Sequence, residues 1–163
     1  MEIEKKYLVK KLPEDLSKYE KWEIEQCYLC AEPAIRIRKR NEDYILTYKN
    51  RNLDNKCKEK GLNISQEVEV PLTEEAYKHL KKKADGIAIT KTRYRIPYGK
   101  FVIELDVFHE DYDGFYLAEV EFDNASEGQA FVPPDWFGRD VSGDYHYMNN
   151  YLSSGNRINE IVR

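Results

Sequence analysis

Hydrophobic and polar residues alternate in short runs along most of the chain. Eight such runs, many of them rich in Ile, Val, Tyr and Thr, have the period of two that is typical of β-strands with one buried face. Turn-forming residues separate them, as at Glu32-Pro33 and at Pro97-Tyr98-Gly99. The pattern predicts strands over residues 2–9, 22–30, 34–40, 43–50, 62–70, 87–97, 100–108 and 116–123.

Three segments favour helix instead. The first, residues 12–16, is short, and the third covers residues 144–153. The second, residues 73–84, begins with a capping residue and two acids, Thr73-Glu74-Glu75, and is followed by the stop signal Gly86. A polar loop is predicted over residues 50–61.

Eight strands and few helices predict an α+β fold that is mainly β. Because closure removes exposed sheet edges, we expect a closed eight-stranded antiparallel β-barrel with a few short helices outside. Such a barrel is just wide enough for side chains or one small ligand. A chain of 163 residues fits one domain, so we expect residues 1–163 to form it.

Composition excludes several classes of protein. The net charge of −4 argues against a basic nucleic-acid-binding domain. The sequence lacks an apolar run of the roughly 18–20 residues that a membrane span needs, and its start does not resemble a secretory signal. The three cysteines, Cys27, Cys30 and Cys57, are sparse and odd in number, which predicts reduced thiols and a cytoplasmic protein. Trp22 and Trp136 are expected to be packing residues, although a tryptophan at the mouth of a tunnel could stack on a base or a thiazole ring.

The polar faces of the predicted strands are almost purely ionisable, and the signs of their charges segregate by strand. Two strands carry basic rows, Arg36, Arg38 and Arg40 on the third and Lys91, Arg93 and Arg95 on the sixth. Four strands carry acidic rows, made of Glu2, Glu4, Glu67, Glu69, Glu104, Asp106, Glu119 and Glu121. A solvated outer face explains any one such strand. Like charges two residues apart repel, so whole rows of them indicate bound counter-charges.

The counter-charges that fit these rows are a divalent cation and a polyanion. Clustered carboxylates suit Mg²⁺ or Mn²⁺, whereas arginine and lysine bind phosphate oxygens. Both chemistries in one site are what metal-assisted phosphoryl transfer requires. The rows therefore predict a polar tunnel inside the barrel. Three helices would cover only part of its apolar outer face, which leaves room for a homodimer.

The ordered motifs resemble those of the CYTH superfamily, the triphosphate tunnel metalloenzymes. Glu2-Ile3-Glu4-Lys5-Lys6 resembles its ExExK signature, and Arg36-Ile37-Arg38 and Leu46-Thr47-Tyr48-Lys49 resemble its RxR and LTxK strands. The later matches are Glu67-Val68-Glu69, Lys91-Thr92-Arg93, Glu104-Leu105-Asp106, Glu119-Val120-Glu121, the tail from Phe137 to Asp144, and Tyr147 and Asn149 at its YxN positions. The resemblance covers nearly the whole chain.

The resemblance implies an eight-stranded tunnel that binds triphosphates with Mg²⁺ or Mn²⁺. Short bacterial members are inorganic triphosphatases, which implies hydrolysis of tripolyphosphate with release of its terminal phosphate. The implied metal ligands are Glu2, Glu4, Glu119 and Glu121. The implied phosphate-binding residues are Lys6, Arg36, Arg38, Lys49, Lys91 and Arg93. The implied catalytic residues, which would orient the attacking water or a second metal, are Glu67, Glu69 and Asp106.

Two departures from the family pattern leave alternatives open. Ser65 and Tyr145 stand where the family often has basic residues, which bears on substrate preference. A class IV-type adenylyl cyclase or a thiamine triphosphatase shares the scaffold, but either would need a pocket for an organic group. A non-enzymatic polyphosphate- or nucleotide-binding module is a third possibility, and the intact acidic rows argue against it.

Overall fold

The structure, a computed structural model, describes residues 1–51 and 61–155. Cys57 and most of the predicted polar loop lie outside these residues. The described strands, numbered β1 to β9 in chain order, are Glu2–Val9, Glu20–Cys30, Ala34–Arg40, Asp43–Asn50, Asn63–Pro71, Asp85–Tyr98, Phe101–Phe108, Tyr116–Phe122 and Phe137–Asp140. Every one of the eight predicted strands is present, with ends that differ by at most two residues.

The strands form one closed antiparallel barrel. Their order is β5-β4-β3-β2-β6-β7-β8-β1, and pairing of β1 with β5 closes the ring. This confirms the predicted eight-stranded barrel. The short ninth strand, which the alternation pattern did not reveal, pairs with the second half of β1 beside the closure.

The α-helices of the described residues are short and lie outside the barrel or at its end. They are α1 (Glu74–Lys81), α2 (Ala125–Ala130) and α3 (Asn149–Ser153). Helix α1 confirms the second predicted helix: the Thr73 side chain accepts a hydrogen bond from the backbone N–H of Ala76 at 3.1 Å. Single 3₁₀ turns cover Glu110–Tyr112 and Tyr145–Tyr147.

The other two helix predictions need correction. Residues 12–16 are not helical, because the Asp15 carboxylate accepts hydrogen bonds from the backbone N–H and hydroxyl of Ser17, which favours a turn. The predicted helix over residues 144–153 is interrupted at Met148, whose backbone is extended, so only a 3₁₀ turn and α3 form. Helix α2 was missed, although Asn124 caps it and Glu127 follows three residues later.

Apolar side chains pack on both sides of the barrel wall. Outside, Cys27 and Ile37 pack beneath Tyr77 of α1. Inside one end, Phe108 and Leu117 pack with Leu152 of α3. The end filled by this second cluster is called the closed end here, and it holds the finish of β1, β7 and the start of β6 and β8. Among the described residues, no helix is long and apolar enough to cross a membrane.

Candidate active site

A polar cavity of about 240 Å³ runs through the barrel interior. Its lining includes eleven of the predicted site residues: Glu2, Glu4, Lys6, Arg36, Arg38, Lys49, Glu67, Glu69, Arg93, Glu119 and Glu121. The charged faces of the strands therefore point inward, as the alternation predicted. The two remaining residues, Lys91 and Asp106, are buried in the wall and do not line the cavity.

The side of the cavity formed by β3, β4 and β5 joins opposite charges across neighbouring strands. Arg38 Nη2 donates a hydrogen bond to Glu69 Oε1 at 2.7 Å, and Arg36 Nη2 lies 3.7 Å from Glu67 Oε1. Lys49 on β4 lies directly opposite Glu67 and donates a hydrogen bond to the Glu2 carboxylate of β1. Because basic and acidic strands are neighbours here, their arginine, lysine and glutamate side chains contact one another in the free protein.

Asp106 supports Arg93 from within the wall. Its carboxylate accepts hydrogen bonds from Arg93 Nε at 2.7 Å and Arg93 Nη2 at 2.9 Å, and from Lys91 Nζ at 2.8 Å. Burial opposes ionisation of Asp106, but the charges of Arg93 and Lys91 hold the pKa of its carboxyl below the ordinary value. A carboxylate with three such donors and no exposed surface orients the guanidinium rather than facing a ligand.

Positive charge is in excess beside β3. Burial, together with the nearby charges of Arg36 and Arg93, lowers the pKa of Arg38 to about 9. The Nε atoms of Arg36 and Arg38 are buried and have no hydrogen-bond partner within residues 1–51 and 61–155. Buried donors without acceptors are costly, so this part of the cavity is built to receive an anion.

Negative charge is in excess around β1 and β8. Glu4 lies directly opposite Glu121, and Glu119 lies directly opposite Glu104. Burial and the charges of Glu119 and Glu2 raise the pKa of Glu4, although the ammonium of Lys49 opposes the rise. Burial and the charges of Glu2, Glu104 and Glu4 likewise raise the pKa of Glu121. Carboxyls that retain protons because of their neighbours are the groups that a bound cation would ionise.

Glu67 and Glu2 form a coupled pair at the same place. Burial and a hydrogen bond with Glu2 raise the pKa of Glu67 to about 8. Burial opposes ionisation of Glu2 too, but its hydrogen bonds with Glu67 and Lys49 lower its pKa to about 2. The two carboxyls therefore share one proton near neutral pH, which relieves their repulsion.

The donor chemistry of this acidic cluster fits a divalent cation. Glu2, Glu4, Glu119 and Glu121 supply hard carboxylate oxygens, which suit Mg²⁺ and Mn²⁺. Across residues 1–51 and 61–155, no three acidic, histidine or cysteine side chains are already arranged as a metal site. Lysine and arginine side chains contact Glu2, Glu4 and Glu119 instead, so a cation would have to replace those contacts.

The C-terminal segment reaches the site through two buried lysines. Lys6 Nζ donates a hydrogen bond to the Tyr147 carbonyl at 3.3 Å and lies 3.4 Å from Glu119 Oε1. Lys91 Nζ donates to Asn149 Oδ1 at 3.4 Å. Tyr145, which replaces a basic residue of the family pattern, has its side chain half-exposed and does not line the main cavity.

Several residues that line the cavity were not predicted as part of the site, Trp22, Arg40 and Arg95 among them. Trp22 was expected to be a packing residue, but it lines the cavity together with Arg40 and Arg95. The signal was present in the alternation, because Trp22 lies directly opposite Arg93 on β6 and so shares its inward face. The basic rows also contained Arg40 and Arg95, which no quoted motif included.

Comparison with known proteins agrees with this geometry. A CYTH domain matches residues 1–140. The chain is 33% identical to an inorganic triphosphatase of Nitrosomonas europaea over 157 residues, covering 93% of this chain and 96% of that protein. It is 30% identical over 153 residues to an inorganic triphosphatase of Acetivibrio thermocellus, covering 93% and 92%.

The fold comparison extends over the same length. The structure of the inorganic triphosphatase NE1496 superposes with a TM-score of 0.69 at 29% identity, covering 96% of this chain and 97% of that one. The domain match and the two relatives agree with the barrel and with its inward-facing charged rows. The chain therefore belongs to the CYTH family.

Proposed function

We propose that this protein is a metal-dependent triphosphatase that hydrolyses inorganic tripolyphosphate to phosphate and pyrophosphate. The observation that carries the proposal is the arrangement of basic and acidic rows on facing walls of one cavity. The similarity to two inorganic triphosphatases over more than nine-tenths of the chain supports the reaction and the substrate. Water attacks the terminal phosphorus, and the P–O bond to the pyrophosphate leaving group breaks.

The basic residues bind and orient the phosphate chain. Arg36, Arg38 and Arg93 present guanidinium groups, and Lys49 presents an ammonium, to the same cavity. Guanidinium groups bind phosphate oxygens bidentately. Binding would exchange their present carboxylate partners for phosphate oxygens and supply acceptors for the unpartnered Nε atoms. We assign Lys6 and Lys91 to the phosphate site as well, on the resemblance.

The acidic residues divide into two groups. Glu2, Glu4, Glu119 and Glu121 would hold Mg²⁺ or Mn²⁺, which when bound neutralises charge on the phosphate oxygens. Glu67 and Glu69 lie on β5 beside the arginines and would orient the attacking water and accept its proton. Asp106 was also predicted in this group; we propose that it is a positioning residue for Arg93, because its carboxylate accepts two hydrogen bonds from that guanidinium.

One observation favours an organic triphosphate as a second candidate substrate. A smaller cavity of about 210 Å³ adjoins the main one and shares Ala34, Lys49, Arg51 and Asn150 with it. Pro33, Tyr145 and Met148 line its less polar part and would contact an aromatic group. This is the pocket that an adenylyl cyclase or a thiamine triphosphatase needs.

The test is phosphate release from tripolyphosphate, ATP and thiamine triphosphate, measured side by side with Mg²⁺, with Mn²⁺ and with excess EDTA. We expect tripolyphosphate to be hydrolysed fastest and EDTA to abolish release. Faster hydrolysis of either organic triphosphate would replace tripolyphosphate as the substrate. No release from any of the three, with binding retained, would favour the non-enzymatic module.

We also expect a cytoplasmic protein without nucleic-acid or membrane partners. Cys27 and Cys30 are free thiols, and the net charge is negative. A homodimer remains a proposal, supported by the exposed side chains of Val68 and Val70 on the outer face of β5. Light scattering of the purified protein would decide it by mass.

A further inference from the structure

At the open end of the barrel, the guanidinium groups of two arginines stack on the ring of one tryptophan. This end, called the outer mouth here, holds the β3–β4 and β6–β7 turns, opposite the closed end. The guanidinium carbon of Arg40 lies 4.6 Å from the centre of the Trp22 ring, and that of Arg95 lies 4.8 Å from it. Trp22 is on β2, and the arginines come from the strands that flank it, β3 and β6.

Stacking explains how two like charges share this mouth. An aromatic face attracts a guanidinium and leaves the N–H edges of the guanidinium free for hydrogen bonds in its own plane. The present acidic partners are exposed and stand just beyond hydrogen-bond distance: Asp43 Oδ2 lies 3.8 Å from Arg40 Nη2, and Glu20 Oε2 lies 3.6 Å from Arg95 Nη1. Glu20 also accepts a hydrogen bond from Trp22 Nε1 at 3.1 Å, which fixes the ring.

One buried atom of Arg95 gives an independent indication that this mouth binds an acceptor. Arg95 Nε is buried and has no hydrogen-bond partner among the described residues, although the side chain as a whole is 34% exposed. The atom belongs to a side chain that lines the main cavity. A buried donor of this kind requires an acceptor oxygen, and exposed surface ion pairs do not supply it.

The basic row is longer than the proposed substrate. Arg36, Arg38 and Arg40 lie two residues apart on β3, so their Cα atoms span about 13 Å at ~3.3 Å per residue. A triphosphate has only two P–O–P links and is shorter than this row. Arg36 and Arg38, with Lys49 and Arg93, suffice for three phosphates, and Arg40 lies beyond them toward the outer mouth.

We propose that Arg40 and Arg95 form an outer phosphate subsite, which binds the fourth phosphate of a longer linear polyphosphate. Trp22 is its positioning residue, because its ring holds both guanidinium groups at the cavity rim. The inference rests on the proposed function, since the first three phosphates must lie in the cavity. It extends the substrate class from tripolyphosphate to short linear polyphosphates that enter through the outer mouth.

The test compares the affinities of tripolyphosphate and tetrapolyphosphate by calorimetry in EDTA, where hydrolysis is absent. In the wild type we expect tetrapolyphosphate to bind more tightly. We divide the dissociation constant of tripolyphosphate by that of tetrapolyphosphate. In Arg40→Gln and Arg95→Gln this ratio should fall about tenfold toward one, because charge-assisted hydrogen bonds to the fourth phosphate are lost. Arg139→Gln is the matched control: Arg139 stacks on Tyr147 at 5.7 Å but lies outside the cavity.

Two Trp22 variants separate positioning from structure. Trp22→Leu should reduce the tetrapolyphosphate preference as the arginine variants do, and Trp22→Phe should retain most of it, because a phenyl face still attracts a guanidinium. In a Trp136→Phe background, Trp22 is the sole tryptophan. Its fluorescence should then change more with tetrapolyphosphate than with tripolyphosphate.

The outcomes distinguish this inference from the proposed function. If the wild type hydrolyses tripolyphosphate but binds both ligands equally, the subsite is wrong and the triphosphatase stands. The same conclusion follows if the arginine and Trp22→Leu variants weaken both ligands equally. If the wild type fails to hydrolyse tripolyphosphate both with Mg²⁺ and with Mn²⁺, the proposed function itself fails.

Discussion

Burial and the positive charges of its neighbours both disfavour the charged form of Arg38. Its side chain is 7% exposed, and Glu69 is its described ion-pair partner. The lowered pKa, about 9, and the unpartnered Nε atom show that the site favours additional negative charge. A phosphate anion would relieve both conditions, so the binding of phosphate should depend strongly on this residue.

We predict that Arg38→Ala raises KM for tripolyphosphate tenfold or more. A hydrogen bond to a charged group contributes about 1.5–3 kcal/mol, and 1.4 kcal/mol is about a factor of ten. Arg38→Lys should restore only part of the loss, because lysine lacks the planar fork. Steady-state kinetics would measure both, with Arg139→Ala as the control outside the cavity. Unchanged kinetics in Arg38→Ala would remove Arg38 from the phosphate site.

Strand alternation predicts the face of a residue but not its depth. It put Asp106 and Glu104 on the same inward face, and both side chains do point inward. Asp106 nevertheless lies beneath Arg93, because it is nearer the apolar closed end, opposite Leu117. Depth depends on what neighbouring strands contribute at the same level, and the sequence of one strand does not contain that information.

Glu25 of β2 anchors helix α1 to the barrel by polar contacts, in addition to the apolar packing of Tyr77. Glu25 accepts hydrogen bonds from the Tyr77 hydroxyl and from Lys81 Nζ, each at 2.8 Å. Burial opposes ionisation, but the hydrogen bonds from Lys81 and Tyr77 outweigh it and lower the pKa of Glu25. The charged form is thus more stable in the folded protein than in the unfolded chain, and this contributes stability above the unfolded pKa.

We predict that Glu25→Gln lowers Tm by about 2–4 °C at pH 7, which corresponds to about 1 kcal/mol for a domain of this size. The difference from wild type should shrink as the pH falls below the ordinary glutamate pKa of about 4.3, where the unfolded chain protonates first, and vanish once the pH is below the lowered pKa of Glu25 in the folded protein. Thermal melts in steps from pH 7 downwards would measure it. Glu74→Gln, which removes an exposed partner of Lys78 on the same helix, should have a smaller effect. A difference that does not shrink as the pH falls would contradict the assignment.

Helix α3 packs against a glycine at the start of β6. Gly86 has φ of +66°, and a Cβ there would overlap the Ser153 carbonyl oxygen of α3. Gly99 has φ of +58° and open space around it. Both positions therefore require a positive φ, but only at Gly86 would a side chain also clash with a neighbouring atom.

We predict that Gly86→Ala lowers Tm by about 3 °C or more beyond Gly99→Ala, because overpacking adds roughly 1–3 kcal/mol to the cost of positive φ. Gly86→Ala should also lower activity, since α3 carries the Asn149 oxygen that contacts Lys91. Melting curves and tripolyphosphate assays of both variants would decide it. Equal melting temperatures would show that α3 moves aside without cost.

Element prediction succeeded where the pattern was long and failed where it was short. The eight barrel strands are seven to fourteen residues long, enough for alternation to be read. Strand β9 has four residues and forms because β1 offers a free edge beside its closure with β5. The turn around Asp15 was taken for a helix because its composition is helix-compatible, whereas side-chain hydrogen bonds to Ser17 decide its structure.

In the whole molecule, the barrel brings together like-charged side chains from different strands, which would lie apart if the strands were not assembled. Without a cation, Glu4 and Glu121 face each other across β1 and β8. We predict that millimolar Mg²⁺ or Mn²⁺ raises Tm, because a ligand that binds only the folded state stabilises it by about 2.7 kcal/mol at a concentration of 100 Kd. Thermal melts in EDTA and in each metal would show it. A melting curve indifferent to both metals would count against the metal site.

We propose that the acidic row of β1 serves hydrolysis rather than folding. The most direct measurement is tripolyphosphate turnover by Glu4→Gln, with circular dichroism and Tm recorded on the same sample. Glu23→Gln, an exposed carboxylate of β2 outside the cavity, is the control. We predict that Glu4→Gln is folded and that its turnover falls by at least about a hundredfold, whereas Glu23→Gln keeps wild-type turnover. A folded Glu4→Gln protein with wild-type turnover would contradict it.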